Sequence, residues 1–286
     1  MEIDPQQISV GELHSYLLGS VVPRPIAFAS TIDSKGNINL SPFSYFNVFS
    51  ANPPILIFSP ANRARNNTPK HSLENVLEVP EVTVNMVNHA MVEQMSLAST
   101  EYEKGVNEFV KSGLTEAPSS VVRPPYVKES PISFECRVVE VKQLGDKGGA
   151  GNLVFCEVIL IHINDDVLDT GGKIDPYKLD AVARMGGNYY ARVQKEGIFE
   201  IPKPITTKGI GIDQLPDSIR ESSVLTGNNL ARLANIEKVP GADEVSGYSN
   251  ASELRGFSRR ELHYKAQALL SEGSVHEAWL VLLQDI

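Results

Sequence analysis

Residues 23–60 read PRPIAFASTIDSKGNINLSPFSYFNVFSANPPILIFSP, and this stretch decides the fold. Two apolar segments, 26–32 and 38–40, flank a turn made of Asp33, Ser34, Lys35, Gly36 and Asn37, the composition of a β-hairpin. The second arm then departs from plain alternation. Ser41, Ser44 and Asn47 interleave with Phe43, Tyr45 and Phe46, so small hydrogen-bonding groups alternate with flat apolar rings. Such a surface suits a planar, polar-edged ligand with a charged tail. The three polar residues stand at three-residue steps, which a regular strand would point to opposite faces. A bulge or turn at Pro42 is therefore expected if they are to act together.

The segments PRPIA, SPFSYFN and NPP, in that order and closely spaced, resemble the flavin reductase-like family, whose fold is the FMN-binding split barrel. The resemblance covers about two thirds of the chain. It implies a mainly β fold with inserted α-helices (α+β), residues 1–200 forming the split β-barrel. Residues 201–286 would form a helical C-terminal extension packed on the barrel or on a dimer mate. It also implies FMN as cofactor, NAD(P)H as co-substrate and a homodimer. Ser41, Phe43, Ser44, Phe46 and Asn47 would contact the flavin and its ribityl-phosphate arm. The segment from Ser59 through Asn67, Thr68 and Lys70 would close on the phosphate. Asn88 would touch the edge of the ring system, or simply form a turn. The segment with Arg184, Gly187 and Tyr189 would lie on the nicotinamide side. Related reductases carry a histidine there, whereas this chain has Ala183 before Arg184. An FMN-containing electron carrier serving a redox protein partner, or a flavin-binding module, is thus the alternative to an NAD(P)H-dependent flavin reductase.

The bulk properties set outer limits. The chain has 286 residues, 42% hydrophobic and 21% charged, enough for one large domain or two small ones. A formal net charge of -9 argues against a nucleic-acid partner held through its phosphates, but permits one local basic pocket. Cys136 and Cys156 are the only cysteines, both in apolar strand-like segments, so buried reduced thiols are expected. Residues 1–5 lack the features of a secretory signal, and the longest apolar run, 153–163, is too short to cross a bilayer. A soluble, cytoplasmic protein without membrane partners is expected.

Two places carry candidate ligand chemistry on residue type alone. Arg24 stands between Pro23 and Pro25, which fix the local backbone and aim a planar, always-charged fork suited to a phosphate or a ring edge. The alternative is an arginine satisfied by solvent or a carboxylate. On the ligand reading, truncation should weaken flavin binding and barely alter the ligand-free fold. Second, Arg63, Arg65, Asn66, Asn67, Thr68, Lys70 and His71 precede a helix expected to open at Thr68-Pro69 and run to residue 79. Free N–H groups at a helix start attract anions. Other chemistries fail: Gly209-Ile-Gly211 lacks the third glycine of a dinucleotide fingerprint, no G-x-S-x-G occurs, and the six histidines show no metal-ligand spacing.

The remaining elements follow from pattern. Ser9–Glu12, Ser258–Glu261 and Ser274–Glu277 have capping-box spacing before apolar helical faces. Residues 82–88, 132–142 and 152–163 read as strands, 90–99 and 103–113 as helices, 182–192 as extended, and 240–256 as a linker or mobile loop.

Overall fold

The computed structural model describes residues 1–205 and 208–285. The chain divides into two compact units, Met1–Phe199 and Glu200–Ile286.

The first unit opens with helix α1 (Val10–Ser20), started by the expected capping box: Ser9 Oγ accepts from Glu12 N and Glu12 Oε2 accepts from Ser9 N at 3.0 Å. Strands β1 (Ala27–Ile32) and β2 (Ile38–Phe43) form the expected hairpin, its turn held by Asp33, whose Oδ1 accepts from the N–H groups of Lys35 and Asn37. Then come β3 (Phe46–Ala51), β4 (Pro54–Phe58), α2 (His71–Glu78), β5 (Glu81–Asn85), α3 (Val92–Leu97) and α4 (Glu108–Ser112). The short strands β6 (Glu116–Ala117) and β7 (Tyr126–Val127) lead to the long β8 (Ile132–Gln143) and β9 (Asn152–Ile163). A one-turn helix, α5 (Pro176–Leu179), precedes the small hairpin β10 (Val182–Arg184) and β11 (Tyr190–Arg192).

Seven strands form one antiparallel sheet in the order β2-β1-β5-β8-β9-β4-β3. Chain connectivity shows that this sheet is rolled. Laid flat, its outer strands would stand about 29 Å apart. Yet only Ser44 and Tyr45 join β2 to β3, a link that spans at most about 11 Å. The two edges must therefore approach each other. Tyr45 O accepts from Ser59 N at 2.9 Å, and the rings of Phe43 on β2 and Phe58 on β4 pack with centroids 5.2 Å apart. Among the described residues no ladder joins β2 to β3, so the barrel is split at that seam.

Alternation explains the interior. Ala27 and Ala29, Val82 and Val84, Cys136 and Val138, Val154 and Cys156, and Leu56 and Phe58 point inward from five strands, with Leu73 and Val76 of α2 added. The outward Phe28 instead packs with Leu40, Met91, Met95 and Phe109 beneath α3 and α4. Both cysteines are buried and reduced; burial pushes the Cys136 thiol far up, and that of Cys156 well above its ordinary value.

Several expectations are corrected. Pairing is regular through Pro42, which faces Phe28; the break comes at Ser44–Tyr45, and the bulge lies in β3 between Val48 and Ser50. Asn47 thus belongs to the opposite sheet edge from Ser41. Helix α2 begins at His71 rather than Thr68, because the Thr68 hydroxyl donates to Asn66 Oδ1 instead of capping. The helix expected over 103–113 is confined to α4, with Asn107 as its cap. The strand expected over 82–88 stops at Asn85, and 182–192 is a hairpin turned at Gly187, φ 57°.

The second unit is helical: α6 (Asp217–Arg220), α7 (Gly227–Ala234), α8 (Ala242–Ser246), α9 (Arg259–Ser271) and α10 (Val275–Leu282). Ile219, Leu233, Leu262, Ala266, Leu270 and Trp279 build its core, and Trp279 Nε1 donates to Leu233 O at 3.0 Å. The Ser258 capping box forms. That at Ser274 does not, since Glu277 accepts from Tyr248 Oη at 2.8 Å. The region read as a linker carries α8 and a 3-10 turn that buries Leu254.

Candidate flavin site

The structure brings β2 to the start of α2. Asn39 Nδ2 donates to Ser72 Oγ at 2.8 Å and reaches Ser41 Oγ at 3.5 Å, so the half-buried Ser41 lies beside the first turn of that helix. No side chain caps α2 at Lys70. Its leading N–H groups, together with the positive end of the helix dipole, therefore remain available to an anion. Around this terminus Arg63 Nε, Arg65 Nη2 and Lys70 Nζ stand 3.5, 3.6 and 3.2 Å from Glu101. Three cations on one carboxylate leave an excess of positive charge. Arg63 is the most sheltered of the three and is braced through Nη1 to Thr68 Oγ1 (3.2 Å) and to the Pro69 carbonyl. His71 adds no charge at neutral pH, since burial, reinforced by Arg63, pushes its pKa down.

The loop that carries these cations is pinned from behind. Asn62 N donates to Ala150 O and Gly149 N to Asn62 O. Asn67, at φ 55°, donates through Nδ2 to Asp146 O at 2.7 Å. A Cβ on Gly151 would lie 2.7 Å from the Oγ of buried Ser59, so a side chain there would have to displace that hydroxyl. Asn67 thus braces the loop, and Ser59 lies against Gly151. Phe43 and Phe46 are half-buried beside the seam, whereas Asn47 is exposed and its Oδ1 accepts from Val48 N.

Arg24 is held by the protein itself. Its side chain is buried, and its donors are committed to protein: Nη1 to Leu18 O (2.6 Å) and Val21 O (2.7 Å), Nη2 to Met185 O (3.1 Å), Nε to Ser44 Oγ (3.4 Å). The carbonyls of Leu18 and Val21 terminate α1, so Arg24 caps that helix and ties it to the 185 loop and to the β2–β3 link. Its backbone pairs with Arg184, joining segments far apart in sequence. Arg184 itself donates to Gly187 O (2.9 Å) and lies over the Tyr190 ring at 4.6 Å, while Tyr189 is exposed. Asn88 pairs with Ala181 at the same end, and its buried Oδ1 has no partner among the described residues. The predicted residues thus fall into two groups: Ser41, Thr68 and Lys70 at α2, and Arg24, Ser44 and Arg184 at the end of β1.

Sequence reasoning passed over Asn39, Ser72 and Glu101. A polar residue two places before Ser41 in an alternating strand was the available signal for Asn39. Nothing local announces Glu101, which arrives from another loop. Among the described residues no group of histidine, cysteine and carboxylate side chains could hold a metal, and no helix is long and apolar enough to cross a membrane.

A rolled antiparallel sheet split at one seam, with a cationic helix start beside that seam, is the architecture of the flavin reductase-like split barrels. The profile described as "Flavin reductase like domain" matches residues 18–182, and the chain belongs to that family. An uncharacterized protein of Aquifex aeolicus is 38% identical over 192 residues, covering 67% of this chain and 95% of its own. Nitrilotriacetate monooxygenase component B from Bacillus cereus superposes with a TM-score of 0.66 at 28% identity, over 70% of this chain and 98% of that one. A split-barrel protein from Shewanella frigidimarina assigned as a flavin reductase gives 0.60 at 26% identity, over 71% and 99%. These proteins are matched over almost their whole length, while about a third of this chain lies outside each match.

Proposed function

We propose that the chain binds FMN at the split seam and works as an NAD(P)H-dependent flavin reductase. The observation that carries this reading is the uncapped start of α2, ringed by Arg63, Arg65 and Lys70 with Glu101 as their single carboxylate. That donor set fits a terminal phosphate, and the adjacent Phe43 and Phe46 rings fit a flat apolar body. Arg63, Thr68, Lys70 and the first N–H groups of α2 would hold the phosphate. Ser41 and Ser44 would meet the polar ring edge, with Asn88 Oδ1 as a further acceptor. Bound there, flavin would supply the redox chemistry, accepting a hydride equivalent from a reduced nicotinamide and passing electrons onward. The protein's own part is to bind, orient and shield. Arg24 positions the seam rather than touching the ligand. Arg184, Gly187 and Tyr189, on the β10–β11 hairpin, would meet the nicotinamide. A homodimer is supported by the apolar outer edge of the sheet, where Val48 and Phe49 are each 64% exposed.

The test is calorimetric titration with FMN, riboflavin and FAD. Arg63→Ala should cost about 1.5–3 kcal/mol of FMN affinity and leave riboflavin binding nearly unchanged. Equal binding of FMN and riboflavin, or tighter binding of FAD, would overturn the phosphate assignment. Steady-state NADH and NADPH oxidation with added FMN then separates a reductase from a carrier that holds FMN without turnover.

A further inference from the structure

Strand β2 lies at an edge of the sheet, so one row of its backbone groups has no strand partner among the described residues. One of these groups, the Leu40 N–H, is satisfied inside the protein instead. It donates to Glu108 Oε2 at 2.8 Å, across 68 residues of sequence. Leu40 is fully buried and Glu108 nearly so. The carboxyl comes from the first residue of α4, a helix that is itself firmly held. Asn107 Oδ1 accepts from Phe109 N at 2.9 Å, the Phe109 side chain is buried, and Gln94 Nε2 donates to the carbonyls of Ser112 and Gly113.

A buried carboxyl is a costly acceptor for a single N–H. Among the described residues no cation pairs with Glu108, and burial pushes its pKa up, opposed by the Leu40 N–H and its own N–H. What the bond controls is placement. Asn39 and Ser41 flank Leu40 on the opposite face of β2. Asn39 Nδ2 donates to Ser72 Oγ at 2.8 Å and reaches Ser41 Oγ at 3.5 Å. Ser72 stands in the first turn of α2, where the N–H groups of Leu73 and Glu74 already bond to Lys70 O. Those of His71 and Ser72 are left for an anion. Any slide or tilt of β2 at Leu40 would therefore move Asn39 and Ser41 relative to these free donors.

We infer that Glu108 is a positioning residue for the phosphate end of the proposed flavin site: α4 clamps β2 at Leu40 and so sets Asn39 and Ser41 against the start of α2. This role rests on the phosphate reading above, and Glu108 itself does not touch the ligand. Its reach as an acceptor does the positioning, not its charge. Glutamine keeps that reach, whereas aspartate, shorter by one methylene, keeps only the charge.

The full-length protein and its variants are titrated calorimetrically with FMN and with riboflavin, which lacks the phosphate. The wild type should prefer FMN. Glu108→Met and Glu108→Asp should each weaken FMN about tenfold and move riboflavin less than about twofold, because only the phosphate end shifts. Glu108→Gln should bind FMN within about twofold of the wild type. A purely structural role would weaken both flavins alike, in step with the melting temperature of the ligand-free protein. Should the methionine and aspartate variants fail to fold, Asn39→Ala breaks the same chain of contacts at its other end and should give the same FMN-selective loss. Full FMN affinity in Glu108→Met or in Asn39→Ala, equal losses for the two flavins, or Glu108→Gln binding FMN as weakly as Glu108→Asp would each overturn the role. A wild type that binds both flavins equally would overturn the phosphate reading and this role with it. A wild-type preference for FMN that survives in the variants overturns the role of Glu108 alone.

Discussion

Replacing Arg24 with alanine distinguishes a strut from a ligand contact. The guanidinium makes two short bonds to the carbonyls that end α1, one of 3.1 Å to Met185 O and a long one to Ser44 Oγ. Charged hydrogen bonds are worth about 1.5–3 kcal/mol each, but the freed carbonyls near the end of an exposed helix can recover water. A net loss of about 2–4 kcal/mol in the ligand-free protein is therefore expected. In a unit of this size that corresponds to a fall in melting temperature of roughly 5–15 °C. The assay is thermal unfolding followed by far-ultraviolet circular dichroism without flavin, with urea unfolding as a second measure. Arg24→Lys should recover little, because one ammonium cannot reach carbonyls on two separated segments in the geometry of a planar fork. FMN affinity should fall less than stability does, and only through loosening of the Ser44 link. Unchanged ligand-free stability with a large loss of FMN affinity would refute the strut and restore Arg24 to the ligand.

Two further outcomes follow from buried groups. Glu135, fully buried, accepts from the N–H groups of Ser120, Val121 and Val122 and pairs with His162 Nε2. Burial opposes ionisation, but these bonds together hold its carboxyl below its ordinary value of 4.5. The stability it contributes is therefore present above that value and is lost as pH falls through the lower folded value. Glu135→Gln should lower stability at neutral pH by about 2–4 kcal/mol and flatten the acid limb, with an unaltered acid limb in urea melts counting against the assignment. Trp279→Ala, at a fully buried position in the helical unit, should cost that unit about 3–5 kcal/mol, and an unmoved helical melting transition would show that its core is not organised around the indole.

The sequence by itself determined local structure and family. The Asp33–Asn37 turn, the capping boxes at Ser9 and Ser258 and the inward alternation of β5, β8 and β9 are short-range consequences of residue type, and the structure contains them. The order PRPIA, SPFSYFN and NPP was enough for the flavin reductase-like class, because those residues stand close together along the chain. What the tertiary structure decided was every question of partner. Thr68 forgoes its cap because Asn66 competes for its hydroxyl, and Ser274 loses its capping box because Tyr248 holds Glu277. Arg24 has the composition of a ligand contact, but Leu18, Val21 and Met185 present carbonyls to it, and Met185 comes from 161 residues away. Glu101 and the Glu135–His162 pair were invisible for the same reason. A side chain's hydrogen-bonding capacity is fixed by its type, whereas the group that satisfies it is fixed by which distant strand or loop the rolled sheet sets within about 3 Å.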